Sequence, residues 1–477
     1  MTRAVDLKRV DQTVGERLER VVVAHHRRRL RKVSWLSALD APGGGWAAGD
    51  PPPRPGNDVE VLVDGAEALP RIARELEAAR SHVWLAGWHF TPELELAGKT
   101  LRELLAETAE RVEVRVLAWA GAPLPLFHPS RKEVREARDQ LERGTRIQCT
   151  LDDQERPMHC HHEKLVLVDG RIAFVGGIDL SLLGGDRRDE PSHPPKGQLG
   201  WHDAAARLEG PAVGDVAAHY ALRWRELSDE RLELPDKVEP ADGVELQVVR
   251  TVPNGVYDAV PRGDFRILES YLRALRSAER LIYLESQFLW SPELVTVLTD
   301  KLRNPPNDDF RLVVVLPAKA KNGQDDTRGQ LGVLVEADDG AGRFLATTLW
   351  QPGVGGRPVY VHAKIGIVDD RWLTIGSANL NEHSLFNDTE MNVVTHDREL
   401  ARAVRLRLWS EHLECDPAEL GADTARIVDE RWRPLAEEQL ERARRDGHGT
   451  RKLRLLPHVS RRSQGALGPL NGLLVDG

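Results

Sequence analysis

Residues 162–170 read HEKLVLVDG and residues 362–370 read HAKIGIVDD. Both fit H-x-K-x(4)-D, giving His162, Lys164 and Asp169, then His362, Lys364 and Asp369. The offset, 362 − 162 = 200, is shared by all three residues. Gly176-Gly177 follows the first copy and Gly376-Ser377 the second, again 200 apart. The chain has 17 His, 12 Lys and 36 Asp in 477 residues. A shuffled chain of that composition would show the motif on the order of 0.03 times. Two structural hairpins with an incidental histidine each would not explain the common register, so the copies mark an internal duplication.

The sequence around the motifs repeats too. GNDVEVLVDG (56–65) alternates like a strand that ends in an Asp-Gly turn. A helical stretch (68–82) and an apolar run, VWLAGWHF (83–90), come next. In the second half, ILESYLRALRSAER (267–280) reads as helix and LIYLESQFLW (281–290) as strand. Pro-Glu-Leu follows both, at 92–94 and 292–294. EVRVLAWAG (113–121) matches FRLVVVLPA (310–318), and both suit strands covered on two faces. A period near 200 is too long for a solenoid. It predicts an α/β fold of two tandem homologous domains with pseudo-twofold symmetry, each a mixed sheet flanked by helices, the H-x-K strands meeting at their interface.

The expected divisions are an N-terminal arm and linker over 1–56, domains over 57–228 and 244–415, and a C-terminal helix and tail over 416–477. Residues 1–35 read as a basic helix, followed by a linker holding Gly43–Gly45 and Pro51–Pro55. SDERLELPDKVEPADG (228–243), polar and proline-bearing, is the expected joint. Residues 398–415 and 424–446 read as charged helices, and RRSQGALGPLNGLLVDG (461–477) as a loop-like tail.

Net charge is −9, so no global basic field calls for nucleic acid. Cys149, Cys160 and Cys415 form no CxxC and suggest no disulfide framework. A reducing, cytoplasmic setting is expected. The only apolar run near the N-terminus, Val21–Ala24, is too short for a signal sequence. No stretch of about 18 apolar residues predicts a membrane span. A lipid substrate would be met from the aqueous side, by transient peripheral contact.

On an extended strand, His162 and Lys164 point to one face. Asp169 has the opposite parity and opens an Asp-Gly turn, and Asp369 is followed by Asp370. Both aspartates belong to the catalytic motif but read as framework residues, not general bases. Two His-Lys pairs facing each other suit phosphodiester cleavage without a metal. One imidazole attacks phosphorus, giving a phosphohistidine, and the other handles the leaving-group and water protons. The lysines clamp the non-bridging oxygens. The two histidines need different environments, each with a carboxylate to fix its tautomer. Asn379 follows the second glycine pair and can donate to phosphate. Its counterpart Asp179 would repel phosphate and reads as an orienting or structural group.

His159-Cys160-His161-His162 holds metal-ligand residue types, but adjacent strand residues point opposite ways, so no metal is expected there. Cys160 reads as a buried cysteine. Trp84, Trp88 and Trp290 fit either a lipid or base pocket or the core.

These residues resemble the phospholipase D superfamily, known for two HKD motifs, over roughly 57–415. YLESQF (283–288), WHDAAARLEGPAV (201–213) with RWREL (223–227), and GGIDLS (176–181) look like segments of true phospholipases D. Cardiolipin synthases of the superfamily usually carry asparagine where Asp179 stands. The resemblance implies His162 as nucleophile, His362 as acid/base, and Lys164, Lys364 and Asn379 as phosphate ligands. It also implies that Glu390 orients His362 and Asp203 orients His162. Most branches need no metal, although calcium-dependent members exist. No C2, PX or PH module is expected in the first 57 residues. The implied function is hydrolysis, with headgroup transfer, of glycerophospholipids to phosphatidic acid by a monomer without cofactor. The alternatives are a cardiolipin synthase-type phosphatidyltransferase, for which membrane spans would be expected, and a nuclease, whose small members usually carry one motif.

Overall fold

The computed structural model describes residues 7–123, 128–157, 159–183, 189–193, 200–234, 242–319 and 324–456. The tail 461–477 and residues 235–241 of the joint lie outside these residues.

The strands of one large mixed sheet are β1 (Arg54–Val63), β2 (His82–Gly87), β3 (Glu113–Trp119), β4 (Gln148–Asp152), β5 (Leu165–Val168), β6 (Ile172–Gly176), β7 (Ala204–Glu209), β8 (Val244–Val252), β9 (Leu281–Glu285), β10 (Arg311–Val315), β11 (Phe344–Leu349), β12 (Ile365–Val368), β13 (Trp372–Gly376), β14 (Glu390–Thr395) and β15 (Leu453–Leu455). Their order is β15-β11-β10-β9-β12-β13-β14-β8-β1-β7-β6-β5-β2-β3-β4. Outward from the antiparallel β1–β8 pair, each half runs through seven strands in the same repeat-equivalent order, and the second half adds β15 at its edge. The repeat therefore folds twice into the same order, and the two copies share one sheet.

The apolar alternation explains the layers. Helix Arg266–Ser277 buries Ile267, Leu268, Tyr271, Leu272 and Leu275, spaced to form one face against the sheet. Helix Asp64–Ala78 does the same with Ala68, Leu69, Ile72, Ala73 and Leu76. On the other side, Ala212–Ser228 and Arg398–Leu413 bring Tyr220, Trp224, Leu408 and Trp409 into a core spanning both halves.

Three local expectations change. Asp64-Gly65 does not close a hairpin. Asp64 takes a left-handed φ of 62° and leads directly into helix Asp64–Ala78, because its carboxylate is engaged inside the protein. The first strand begins at Arg54, ahead of residue 57. The Gly43–Pro55 stretch is docked as well: Gly44 N–H donates to Arg273 O, and Gln247 bonds Ala47 and Pro51. The N-terminal helix Leu7–Lys32 also packs on the body, with His26 stacked on Phe386 and Arg29 bonded to Asn254, Asn387 and Phe386 O.

Candidate active site

Each H-x-K triplet lies just before its strand, not within it, since β5 starts at Leu165 and β12 at Ile365. The triplets pair instead with the opposite half. His162 and Glu163 both donate their backbone N–H to Thr389 O, at 2.9 and 3.1 Å. His362 and Ala363 both donate to His202 O, at 2.7 and 3.0 Å. Tyr360–Val361 and Trp201–His202 form a short parallel pair that extends the second link.

These links bring the rings of His162 and His362 to 6.3 Å between centroids, at 71°. Both are buried, as are Lys164 and Lys364. The expected alternation holds: Glu163 points away and meets Arg223 and His219. Lys164 Nζ donates to His162 O at 2.6 Å and lies 3.4 Å from Asp179 Oδ1. Asp179 thus faces the lysine, in keeping with a structural or orienting part. Lys364 Nζ donates to His362 O. Burial pushes the Lys364 pKa down to about 8, with Lys164 adding to the fall and Asp203 opposing it.

The carboxylates are exchanged relative to the expectation. Glu390 Oε1 lies 3.0 Å from His162 Nδ1, and Asp203 Oδ2 lies 2.6 Å from His362 Nδ1. The reason is the backbone pairing just described. The bond to Thr389 sets Glu390 beside His162, and the bond to His202 sets Asp203 beside His362. Glu390 also accepts from the hydroxyls of Ser377 and Ser384. With each Nδ1 held by a carboxylate, the Nε2 atoms are left as the reactive nitrogens.

Asn379 is buried, with its amide nitrogen 3.4 Å from Gln287 Oε1. Its Oδ1 has no hydrogen-bond partner among the described residues. Asp169 and Asp369 stand apart from the paired rings. Each has a left-handed φ, 56° and 54°. Asp169 accepts N–H bonds from Arg80, Ser81 and His82, and Asp369 from Glu279, Arg280 and Leu281. Both carboxylates thus tie the motif turn to the segment that leads into the neighbouring strand.

Cys160 is buried beside Trp88, Trp119 and Ala122. Trp84 stacks on Tyr220 in the core, and Trp290 lies edge-on to His383. His159 meets His383 and Asp388, while His161 meets Asp152 and Thr389, so the histidine run splits between two environments. Trp201, which stacks on Tyr360 and sits 5.2 Å from the His362 ring, was not singled out from sequence. Its sequence signal is the WHD segment that it opens.

A family model described as "Cardiolipin synthase, PLD-like domain" matches residues 271–410. Phospholipase D A of Dictyostelium discoideum is 24% identical over 76% of this chain and 36% of its own. The major cardiolipin synthase ClsA of Bacillus subtilis (strain 168) is 26% identical over 72% of this chain and 67% of its own. The chain thus spans about a third of the first relative and two thirds of the second. Among solved structures, phosphatidylserine synthase of Haemophilus influenzae Rd KW20 has a TM-score of 0.50 at 12% identity, covering 82% of this chain and 93% of that one, a likeness of fold. No described helix is long and apolar enough to cross a membrane. The chain belongs to the phospholipase D superfamily.

Proposed function

We propose that the chain cleaves the phosphodiester of glycerophospholipids by phospholipase D chemistry, releasing the headgroup and leaving phosphatidic acid or a transphosphatidylated product. The observation that carries this reading is the buried pair of imidazoles 6.3 Å apart, each held through Nδ1 by a carboxylate from the other half.

In this scheme His162 Nε2 attacks phosphorus and forms the P–N bond. The P–O bond to the headgroup breaks, and its oxygen takes the proton from His362 Nε2. Water or an alcohol then gives its proton to His362 and attacks phosphorus, the P–N bond breaks, and His162 is restored. Lys164, Lys364 and Asn379 hold the non-bridging oxygens where charge accumulates. The surroundings of the two rings differ: Asp203, whose Oδ2 lies 2.6 Å from His362 Nδ1, also accepts the Ala204 N–H, whereas Glu390, 3.0 Å from His162 Nδ1, also accepts from two hydroxyls. Asp169 and Asp369 hold the strands behind the site. The division into 57–228 and 244–415, action as a monomer, and transient contact with a phospholipid surface belong to the same proposal.

A second reading, phosphatidyl transfer to a lipid alcohol, is favoured by the description of the matched family model and by the coverage of ClsA. Purified protein is assayed on phosphatidylcholine with and without ethanol, and on phosphatidylglycerol alone. Choline release with phosphatidylethanol formation is expected. Cardiolipin from phosphatidylglycerol, with no choline release, would select the second reading. No product from either lipid would refute both.

A further inference from the structure

Behind the catalytic pair lies a second cluster that the reaction does not use. Asp64, His193, His202 and Glu411 each offer one ligand atom, and these four atoms lie within 4.8 Å of one another. The first three side chains have no exposure, and Glu411 is nearly covered. His193 Nε2 is 3.4 Å from Glu411 Oε1 and 4.0 Å from Asp64 Oδ2, and His202 Nδ1 is 3.1 Å from Asp64 Oδ1. Asp64 Oδ2 and His193 Nε2 have no hydrogen-bond partner among the described residues. A buried carboxylate oxygen and a ring nitrogen left this way are costly unless something sits between them.

The spacing suits an ion. Four ligands at 2.0–2.2 Å around a tetrahedral centre stand about 3.4 Å apart. The shorter of these separations, 3.1 and 3.4 Å, fall near that value, and the 4.0 Å between His193 Nε2 and Asp64 Oδ2 is somewhat longer.

The far side of each histidine gives a second, independent sign. Ligating histidines commonly donate their other ring N–H to a carboxylate, which fixes the tautomer and raises ligand basicity. Here His202 Nε2 meets Glu285 Oε2 at 2.8 Å, and His193 Nδ1 meets Asp189 Oδ2 at 3.2 Å. Glu285 is itself held by Tyr283 Oη and by His412 Nε2. Asp189 also accepts the Trp201 N–H. Both imidazoles are thus oriented from behind, with the opposite nitrogen turned into the cluster.

We infer that Asp64, His193, His202 and Glu411 form a structural site for one divalent ion of the zinc class. Two nitrogens and two carboxylate oxygens favour such an ion over magnesium, which prefers oxygen and water. The ion would act by position. Asp64 Oδ1 accepts the Asp203 N–H, Asp64 N–H donates to Asp203 O, and His202 O receives the backbone of His362. Clamping Asp64 and His202 therefore fixes the segment that presents Asp203 to His362, and Glu411 ties it to helix Arg398–Leu413 of the other half.

The rival is a network closed by protons alone. Lys452 Nζ lies 3.4 Å from Glu411 Oε1, and His412 Nδ1 lies 3.9 Å from it, so positive charge can come from inside the chain. That network would hold no metal and would ignore chelators.

The test uses the full chain, treated with EDTA, given Zn²⁺ or Mg²⁺, desalted and analysed for metal. Roughly one zinc per chain and no retained magnesium are expected, with a higher melting temperature in zinc. His193→Ala and Glu411→Gln should each lower retained zinc at least about tenfold, since losing even an outer partner of a metal ligand weakens binding by roughly that much. Zinc near zero on the parent chain, or equal zinc on folded variants, overturns the inference. Should the variants not fold, X-ray absorption at the zinc edge of the parent decides. A first shell of mixed imidazole and carboxylate supports the site, and sulfur or a water-only shell overturns it.

Discussion

Glu390 reaches across the centre of the molecule to His162, with Oε1 3.0 Å from Nδ1, although His362 is the histidine of its own repeat. Asp203 does the reverse for His362. Each imidazole is therefore tuned by the half that does not carry it, and neither half alone holds an oriented histidine. A mutation in one repeat should appear as a defect in the chemistry of the other.

The exchanged pairing makes a separable prediction. Asp203→Asn should impair protonation of the leaving group by His362, and Glu390→Gln should impair attack by His162. Each loss on phosphatidylcholine should be on the order of 10²–10⁴, the range for a misoriented histidine in a triad. A substrate with a p-nitrophenol leaving group needs little acid help, so Asp203→Asn should regain most of the first-turnover burst of p-nitrophenol, its later water step staying slow, while Glu390→Gln should show no such burst. A burst from Glu390→Gln alone would exchange the roles of the histidines, making His162 the acid and His362 the nucleophile.

Gly177 should tolerate no side chain. A Cβ there would stand far inside contact distance of Asp203 Oδ1. Gly177→Ala therefore has to displace the carboxylate that holds His362. The expected result is a folded protein with a loss comparable to Asp203→Asn, read from circular dichroism and initial rates together. Parent-level activity would show that Asp203 has room to move without consequence.

Much of this site is legible in the chain. The two H-x-K copies, their shared register and the parity that sets Asp169 and Asp369 apart all follow from local spacing. The exchange of Glu390 and Asp203 does not. It is fixed by two backbone links, 162 to 389 and 362 to 202, whose register is a property of how the halves meet. The Asp64–His193–His202–Glu411 cluster is not legible in the chain for a related reason: its members come from three separate stretches with no characteristic spacing. Asp64-Gly65 misled because its sequence suits a hairpin, whereas Asp64 uses its left-handed backbone to enter a helix with a buried carboxylate.

Lys364 should set an alkaline limb. Burial brings its pKa down to about 8, so it is mostly charged at neutral pH and loses its proton as pH rises through 8. The phosphate clamp needs the charged form, so kcat/KM should fall above that point. Bound phosphate favours the ammonium, and the limb in kcat should lie higher than that in kcat/KM. A kcat/KM profile flat to beyond about pH 9.5 would mean that no group of this kind controls the free enzyme.

The last prediction concerns the two aspartates that complete the motifs. Asp169 and Asp369 each gather three backbone N–H groups from the segment leading into β2 or β9, tying the motif hairpin to its neighbour. For Asp169, burial alone would raise the pKa, but the bonds from Ser81, Arg80 and His82 outweigh it and hold the carboxyl below its ordinary value. Its stabilisation is therefore complete above the unfolded-state pKa and is lost as pH falls through the lowered one. Asn tolerates the left-handed backbone but accepts fewer N–H bonds and carries no charge. Asp169→Asn and Asp369→Asn should each cost about 1–3 kcal/mol. Both should retain measurable turnover at temperatures where they stay folded. The stability gap between Asp169→Asn and the parent should narrow as pH drops below the carboxylate range, because the parent then loses the charge that the variant already lacks. Melting curves across acid pH, paired with initial rates, test this. A variant that melts like the parent yet is inactive would place the aspartate in the chemistry and out of the framework.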